Sequence, residues 1–146
     1  MLLDRNALDR LLPHRGSMCL LDSVASWDAD RIDCRASSHR APENPLRIDG
    51  RLPALVAIEY AAQAMAVHGG LRAPPDHGAA PGYLVAVRNA ALHAATLDDL
   101  ATELEVSATC LVADAAGLVY SFAVKAGDRL VAEGRATVAL LGRDGS

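Results

Sequence analysis

An acidic residue in an otherwise apolar segment is the first sign of chemistry in this sequence. Glu59 lies within residues 53–68, PALVAIEYAAQAMAVH, which are mostly Ala, Val, Leu, Ile and Met. A segment of this length that is apolar on every side is typical of a buried helix. A carboxylate in a core must be paired, protonated or beside a cavity, because its desolvation is costly. Glu59 is therefore a candidate acid or base for catalysis, and a purely structural buried acid is the alternative.

Two other polar residues share the predicted helix. Gln63 follows Glu59 by one helical turn, so both side chains are expected on one face. We interpret Gln63 as a partner that orients the Glu59 carboxyl group. His68 lies roughly half a turn away from Glu59, at about 100° per residue. We expect it in a different environment, near the negative end of the helix dipole.

The remaining pattern predicts one domain, residues 1–146, with this helix at its centre. The interior is built from small aliphatic residues, since 51% of the chain is hydrophobic but only 3% is aromatic. Leu3, Leu8, Leu11 and Leu12 predict a short helix capped by Asp4 and ended by Pro13. Gly69-Gly70 is expected to end the long helix. Strands are predicted at Met18–Ala25, Arg31–Ser37, Tyr83–His93, Thr102–Val112, Leu118–Lys125 and Arg129–Leu140.

Turn residues separate these segments. Asp28–Asp30 predicts a turn between the first two strands, and Gly127-Asp128 predicts a hairpin turn between the last two. Ala73–Gly82 is rich in Pro and Gly and predicts a surface loop. One long helix can be buried only if a curved antiparallel sheet wraps it. The sequence therefore predicts an α+β fold with a single central helix.

Composition excludes several classes of function. The formal net charge of −4 provides no basic excess for binding nucleic acid. Cys19, Cys34 and Cys110 have no zinc-ligand spacing and fit reduced thiols in a cytoplasmic protein. The charged N-terminal segment does not have the pattern of a signal peptide. The apolar helix is shorter than the roughly 18–20 residues that cross a bilayer, so a soluble protein is expected.

Several motifs resemble one enzyme family. Leu12-Pro13-His14-Arg15 with Met18–Val24 resembles the opening of the β-hydroxyacyl-acyl-carrier-protein dehydratases, which have a hotdog fold. Leu52-Pro53-Ala54 and Ile58–Gln63 resemble the start and body of their central helix. Asp49–Pro53 is similar to a divergent dehydratase-like branch associated with aryl-polyene pigment clusters. The resemblance covers most of the chain and implies a hotdog fold for all of it.

The resemblance also implies roles for residues. Family members use a His to remove the α-proton of a 3-hydroxyacyl thioester and a helix acid to protonate the departing hydroxyl. Glu59 matches that acid. Backbone N–H groups at the helix start polarise the thioester carbonyl, and Pro53, Ala54 and Leu55 match that segment. With Gln63 these residues form the implied substrate-binding set, and no metal or organic cofactor is implied.

The family's His has no counterpart in this chain. It belongs to a segment about 14 residues before the acid, where this sequence has Asn44-Pro45-Leu46-Arg47. His39 is a candidate replacement base, the alternative being a surface His at a strand end. Asp49 is a second candidate, the alternative being a turn residue with Gly50 or a helix cap. A partner subunit is a third source. His14 is interpreted as structural, His77 falls in the surface loop, and His93 closes a strand.

Three functions follow from these observations. The first is dehydration of a 3-hydroxyacyl group on an acyl carrier protein, by a homodimer or by a heterodimer with a His-bearing hotdog subunit. The second is a non-catalytic acyl-binding hotdog subunit, and the third is a hotdog thioesterase. A carrier protein is acidic, so a local basic patch is expected. The candidates for that patch are Arg47, Arg51, Arg72 and Arg88.

Overall fold

One long helix packed against one face of an antiparallel sheet forms the core of this protein. The computed structural model describes residues 3–11, 19–72, 82–114 and 117–140. In these ranges the helices are α1 (Arg5–Leu11) and α2 (Ala57–Arg72). The strands are β1 (Ser23–Trp27), β2 (Arg31–Ala36), β3 (Gly82–Leu92), β4 (Leu104–Ala113), β5 (Gly117–Ala126) and β6 (Arg129–Leu140).

The sheet has the strand order β1-β2-β4-β5-β6-β3, and every neighbouring pair is antiparallel. Helix α2 packs on β2, β4, β5 and β6. The predicted α+β fold with one central helix is confirmed. Ile32, Cys34 and Ala36 on β2 are buried, as their alternation predicts. Leu104, Val106 and Ala108 on β4 are buried in the same way.

The start of α2 agrees with the sequence, but its end does not. Pro53 (φ −61°) precedes a single 3₁₀ turn, Ala54–Val56, which leads directly into α2. The prediction that Gly69-Gly70 ends the helix is wrong, because α2 continues to Arg72. Glycine ends a helix when it adopts a positive φ, and neither of these glycines does so.

The first predicted strand is too long at its N-terminal end. Cys19, Leu20 and Leu21 are buried but lie outside β1. The Leu20 N–H donates to the Gln63 side chain at 2.8 Å instead of joining a strand ladder. Elsewhere in the sheet, Gly117 is the first residue of β5. A Cβ there would collide with the Val138 carbonyl group of β6, so glycine allows the close approach of the two strands.

The described turns agree with the prediction. Asp28 Oδ1 accepts hydrogen bonds from the N–H groups of Asp30 and Arg31, at 2.8 and 2.9 Å. Gly127 has φ +61° between β5 and β6. Asp4 Oδ1 accepts from the Ala7 N–H at 3.1 Å and thereby caps α1. Pro13, Met18 and residues 73–81 of the predicted loop lie outside the described residues. In the described part of the chain, no helix is long and apolar enough to cross a membrane.

Candidate active site

Glu59 lies in the first turn of α2 and is half-buried. Its Oε1 accepts a hydrogen bond from Gln63 Nε2 at 3.4 Å. The prediction that the two side chains share one helix face is confirmed. A carboxyl group in this position can exchange a proton with a bound molecule, because it is neither sealed in the core nor fully solvated.

Gln63 connects Glu59 to the segment before β1. The side chain is only 1% exposed. Its Oε1 accepts from the Leu20 N–H at 2.8 Å, while its Nε2 donates to Glu59. The backbone bond fixes which end of the amide faces Glu59, since a backbone N–H can only donate. Gln63 therefore presents a donor to the carboxylate and holds it in one orientation.

The helix start offers a backbone donor close to Glu59 in sequence. The Ala54 N–H donates to the Ala95 carbonyl at 3.0 Å, and the Val56 N–H donates to the Pro53 carbonyl at 3.0 Å. Among the described residues, the Leu55 N–H has no acceptor. The Leu55 side chain is 62% exposed. Of the three residues implied to hold the thioester carbonyl, Leu55 therefore has the N–H group available for it, near the positive end of the helix dipole.

The segment before this turn is fixed by Asp98, which sequence reasoning did not single out. Asp98 Oδ1 accepts from the Leu52 N–H at 2.7 Å, and Oδ2 accepts from Arg51 Nε at 2.8 Å. These bonds lower the pKa of Asp98, the backbone bond from Leu52 most of all. The Leu97 N–H in turn donates to the Leu52 carbonyl at 2.8 Å. No local motif predicts this contact, because 46 residues separate Leu52 from Asp98.

Comparison with protein families identifies the family of this chain. A family model described as ApeP-like, ApeP dehydratase, matches residues 6–141. The chain belongs to the ApeP-like dehydratase family. The expected relation to dehydratases of the aryl-polyene branch is thereby confirmed. The search of curated proteins found no match.

Solved structures share the hotdog fold of this ApeP-like protein. A chain of the dehydratase heterocomplex ApeI:P from Xenorhabdus doucetiae is 22% identical, with a TM-score of 0.82, and the match covers 94% of this chain and 93% of that one. A thioesterase from Haemophilus influenzae is 14% identical, with a TM-score of 0.68 and coverage of 98% and 96%. AziG of S. sahachiroi is 22% identical, with a TM-score of 0.64 and coverage of 90% and 98%.

In this ApeP-like chain, an asparagine with a structural role occupies the segment that should carry the base. Asn44 is 6% exposed, and its Nδ2 donates to the Ser38 carbonyl at 3.0 Å and to the Tyr60 hydroxyl at 3.4 Å. Its Oδ1 accepts from the Leu46 N–H at 2.9 Å. The Ser38 and Tyr60 hydroxyls lie 2.6 Å apart. Asn44 therefore ties this loop to α2, and its amide group is not a base near neutral pH.

His39 is buried, so the alternative of a surface histidine is wrong. It lies in a 3₁₀ turn, Ser38–Arg40, and its side chain has no exposed surface. Nε2 lies 3.1 Å from the Leu100 carbonyl oxygen, and Nδ1 has no partner among the described residues. Burial is the main cause that lowers the pKa of His39, and the Leu100 carbonyl opposes the shift. Burial therefore favours the neutral form of His39.

Asp49 is exposed at the tip of a tight turn. The Ile48 N–H donates to the Arg51 carbonyl at 2.7 Å, and the Arg51 N–H donates back at 3.0 Å. Asp49 (φ +51°) and Gly50 (φ +80°) are the two central residues. Two positive φ angles are typical of a type I′ turn, in which Asp-Gly is a favoured pair. The turn explains the residue types at this position without a catalytic role.

The other described histidines lie in separate environments. His68 is fully buried, with Nδ1 2.7 Å from the Tyr120 hydroxyl and Nε2 2.8 Å from the Asp28 carbonyl oxygen. These hydrogen bonds replace the predicted interaction with the helix dipole. His93 is exposed, with Nε2 3.0 Å from Glu133 Oε2. His14 and His77 lie outside the described residues.

Two of the four arginines proposed for a carrier protein have structural partners. Arg47 donates to the carbonyl groups of Ala41, Gly50 and His39. Arg51 is paired with Asp98. Arg72 Nη1 lies 3.8 Å from Cys110 Sγ, and Arg88 is exposed on β3. Across the described ranges, no group of three or more His, Cys, Asp or Glu residues could hold a metal ion.

Proposed function

We propose that this protein dehydrates a 3-hydroxyacyl thioester carried on an acyl carrier protein. The observation that carries the proposal is the arrangement at the start of α2. There a half-buried carboxyl group is oriented by Gln63, and the Leu55 N–H lies four residues before it. Membership of a dehydratase family supports the same reaction class.

The proposed chemistry uses each of these groups once. A base removes the α-proton, and the thioester carbonyl oxygen gains negative charge that the Leu55 N–H stabilises. The electron pair then forms the α,β double bond while the bond from the β-carbon to its oxygen breaks. Glu59 gives its proton to the departing hydroxyl, which leaves as water. The base returns its proton to Glu59 through solvent, so the reaction consumes no oxidant or reductant.

We further propose that a second hotdog subunit supplies the base. Three observations support this: Asn44 occupies the family's His segment, His39 is buried against Leu100, and Asp49 is committed to a turn. The match to a chain of a dehydratase heterocomplex supports a hetero-oligomer. His39 and Asp49 remain the alternatives within this chain.

The test is a reconstitution with a 3-hydroxyacyl carrier protein, with and without a His-bearing hotdog subunit encoded nearby. We expect enoyl product with both subunits and a fall of about 10²–10⁴-fold for Glu59→Gln, as for loss of a general acid. Glu59→Asp is the matched control, because it keeps the acid and should recover part of the rate. Full activity of Glu59→Gln in the assembled enzyme would overturn the role of Glu59.

A non-catalytic acyl-binding subunit is the second candidate, favoured by the buried His39 and the structural role of Asn44. In that case the assembled pair would form product at the same rate with Glu59→Gln, and removal of this subunit would affect only assembly or acyl binding. Free carrier-protein thiol without enoyl product would instead indicate a thioesterase.

Docking of the acidic carrier protein would use arginines without a carboxylate partner. Arg72 is exposed at the end of α2, whereas Arg51 is paired with Asp98. We expect Arg72→Glu to weaken carrier-protein binding several-fold, mainly through the association rate. Unchanged binding by surface plasmon resonance would exclude Arg72 from the docking surface.

A further inference from the structure

A row of basic and hydroxyl side chains crosses the face of the sheet that points away from α2. Tyr120 contacts His68 of α2, so its neighbour Ser121 must face the other side. Strand register then places Thr109 beside Ser121 on one side and Arg135 on the other. Arg31 pairs with Thr109, and Arg88 pairs with Arg135. The row across β2-β4-β5-β6-β3 is therefore Arg31, Thr109, Ser121, Arg135 and Arg88, which we call the outer row.

A cleft of about 350 Å³ lies over this row. The side chains of Arg31, Thr109, Ser121 and Arg135 line it, together with Ser107 and Glu133. Neighbouring strands are about 4.8 Å apart, so short hydroxyl side chains form the floor and longer arginine side chains rise at both sides. The cleft is separate from Glu59, which lies on α2 at the opposite face of the sheet.

The arginines at this cleft differ in whether a carboxylate lies close enough to neutralise their charge. Arg31 makes a two-point contact with the Asp33 carboxylate at 3.0 and 3.2 Å. Glu133 Oε2 lies 3.0 Å from His93 Nε2, which carries a positive charge only when the imidazole is protonated. Neither Arg135 nor Arg88 has a carboxylate within 4.0 Å in the described part of the chain. The two are nevertheless directly opposite each other on β6 and β3. Like charges in this arrangement destabilise a sheet, and an anion bound between them would remove the repulsion.

We propose that the outer row is a binding site for a phosphate group. Arginine guanidinium groups form paired hydrogen bonds with phosphate oxygens. The hydroxyls of Thr109 and Ser121 can donate to the remaining oxygens. Arg135 is the central ligand. Arg88, on the neighbouring edge strand, adds positive charge beside it but does not line the cleft, and Arg31, three strands from Arg135, lines the far side while held by Asp33. The ligand is either inorganic phosphate or the phosphate monoester of a small molecule.

Binding to the full-length protein should be measured by calorimetry at constant ionic strength, with inorganic phosphate and with glycerol phosphate as probes. We expect saturable binding of at least one probe, and about tenfold weaker binding for Arg135→Gln, which corresponds to one lost charged contact. Tighter binding of glycerol phosphate would identify a phosphate ester as the ligand. Tighter binding of inorganic phosphate would identify the free ion.

Lys125→Gln is the matched control. Lys125 is an exposed cation on β5 whose side chain lies on the same face of the sheet as Ser121. The Lys125→Gln substitution removes one positive charge from the same face of the sheet. Lys125 lies outside the outer row, so phosphate binding should be unchanged. Without phosphate, Arg135→Gln should also raise the melting temperature by about 1–4 °C, because it relieves the repulsion with Arg88. Two results would overturn the site: binding of neither probe, or equal losses in Arg135→Gln and Lys125→Gln.

Discussion

The two ends of α2 both place polar side chains on an apolar helix, but they differ in how those groups are satisfied. At the C-terminal end, His68 is fully buried and both ring nitrogens have partners. At the N-terminal end, Glu59 is half-buried and accepts a hydrogen bond of 3.4 Å from Gln63. The first arrangement is closed to ligands, whereas the second leaves a half-buried carboxyl group near the start of the helix. Accessibility, and not polarity alone, distinguishes a candidate site from a structural network.

The hydrogen bonds at the C-terminal end of α2 require the neutral form of His68 with its proton on Nε2. The Asp28 carbonyl can only accept, so Nε2 carries a proton and Nδ1 accepts from the Tyr120 hydroxyl in the neutral ring. Burial is the main cause that lowers the pKa of His68 and raises that of Tyr120 to about 12. Both shifts favour the neutral forms. This pair therefore stabilises the contact between α2, the β1–β2 turn and β5 without exchanging protons near neutral pH.

The largest expected effect on stability comes from removing the hydrogen bonds of His68 at the C-terminal end of α2. His68→Leu leaves the Tyr120 hydroxyl and the Asp28 carbonyl without their partner, so we expect a loss of about 2–4 kcal/mol in the free energy of unfolding. Urea denaturation measures this loss, and the dehydration rate per folded molecule should not change. The double variant with Tyr120→Phe should recover part of the stability, because it removes one unpaired group. A rate loss in folded His68→Leu would mean that the two ends of α2 are not functionally separate.

A smaller effect, on the turnover number, is expected from Gln63→Ala at the N-terminal end of α2. Loss of the amide removes the donor that orients Glu59 and the acceptor of the buried Leu20 N–H. We expect the turnover number to fall about tenfold, equivalent to about 1.4 kcal/mol of transition-state free energy. The free energy of unfolding should fall as well, because the Leu20 N–H loses its acceptor. Gln63→Met fills the same space but cannot donate to Glu59, so it should recover part of the stability through packing and none of the rate, and recovery of the rate would contradict the orienting role.

The open end could be predicted from sequence better than its surroundings. Glu59 and Gln63 are one turn apart on a helix that is apolar on every side, so the length of the apolar segment and helical spacing were sufficient. The structural role of Asn44 was not predictable, because its partners Ser38 and Tyr60 meet it only after the loop folds against α2. Asp98 presents the same problem, since its contact with Leu52 is a tertiary one. Fold class followed from one helix among many alternating strands, whereas long-range side-chain contacts had no local signal.

Acidic pH should lower the free energy of unfolding of this protein. His68 and His39 both have a lowered pKa in the folded protein, chiefly through burial, whereas an unfolded chain titrates near pH 6.5. Above that pH both states are neutral and no stability is lost. As the pH falls below about 6.5, the unfolded state binds protons first, so the free energy of unfolding should fall, by at most about 1.4 kcal/mol per pH unit for each histidine. Urea denaturation at pH values from about 7.5 to about 5.5, roughly one unit on each side of 6.5, measures how the free energy of unfolding changes with pH.

The variant that tests this pH dependence is His68→Leu. It removes one of the two buried histidines, so it should reduce the slope. A flat profile in the wild-type protein would show that neither buried histidine resists protonation.

The smallest expected effect separates the two sources of the catalytic base. Asp49→Asn removes a carboxylate from the exposed turn but keeps a residue that accepts a positive φ. If a partner subunit supplies the base, the assembled enzyme should keep its rate within about twofold, a change of about 0.4 kcal/mol. A fall of about a hundredfold, with the fold intact by circular dichroism, would instead make Asp49 the base. The open end of α2 would then be completed by its own chain, because the turn at Asp49 would bring the missing carboxylate to Glu59 without a second subunit.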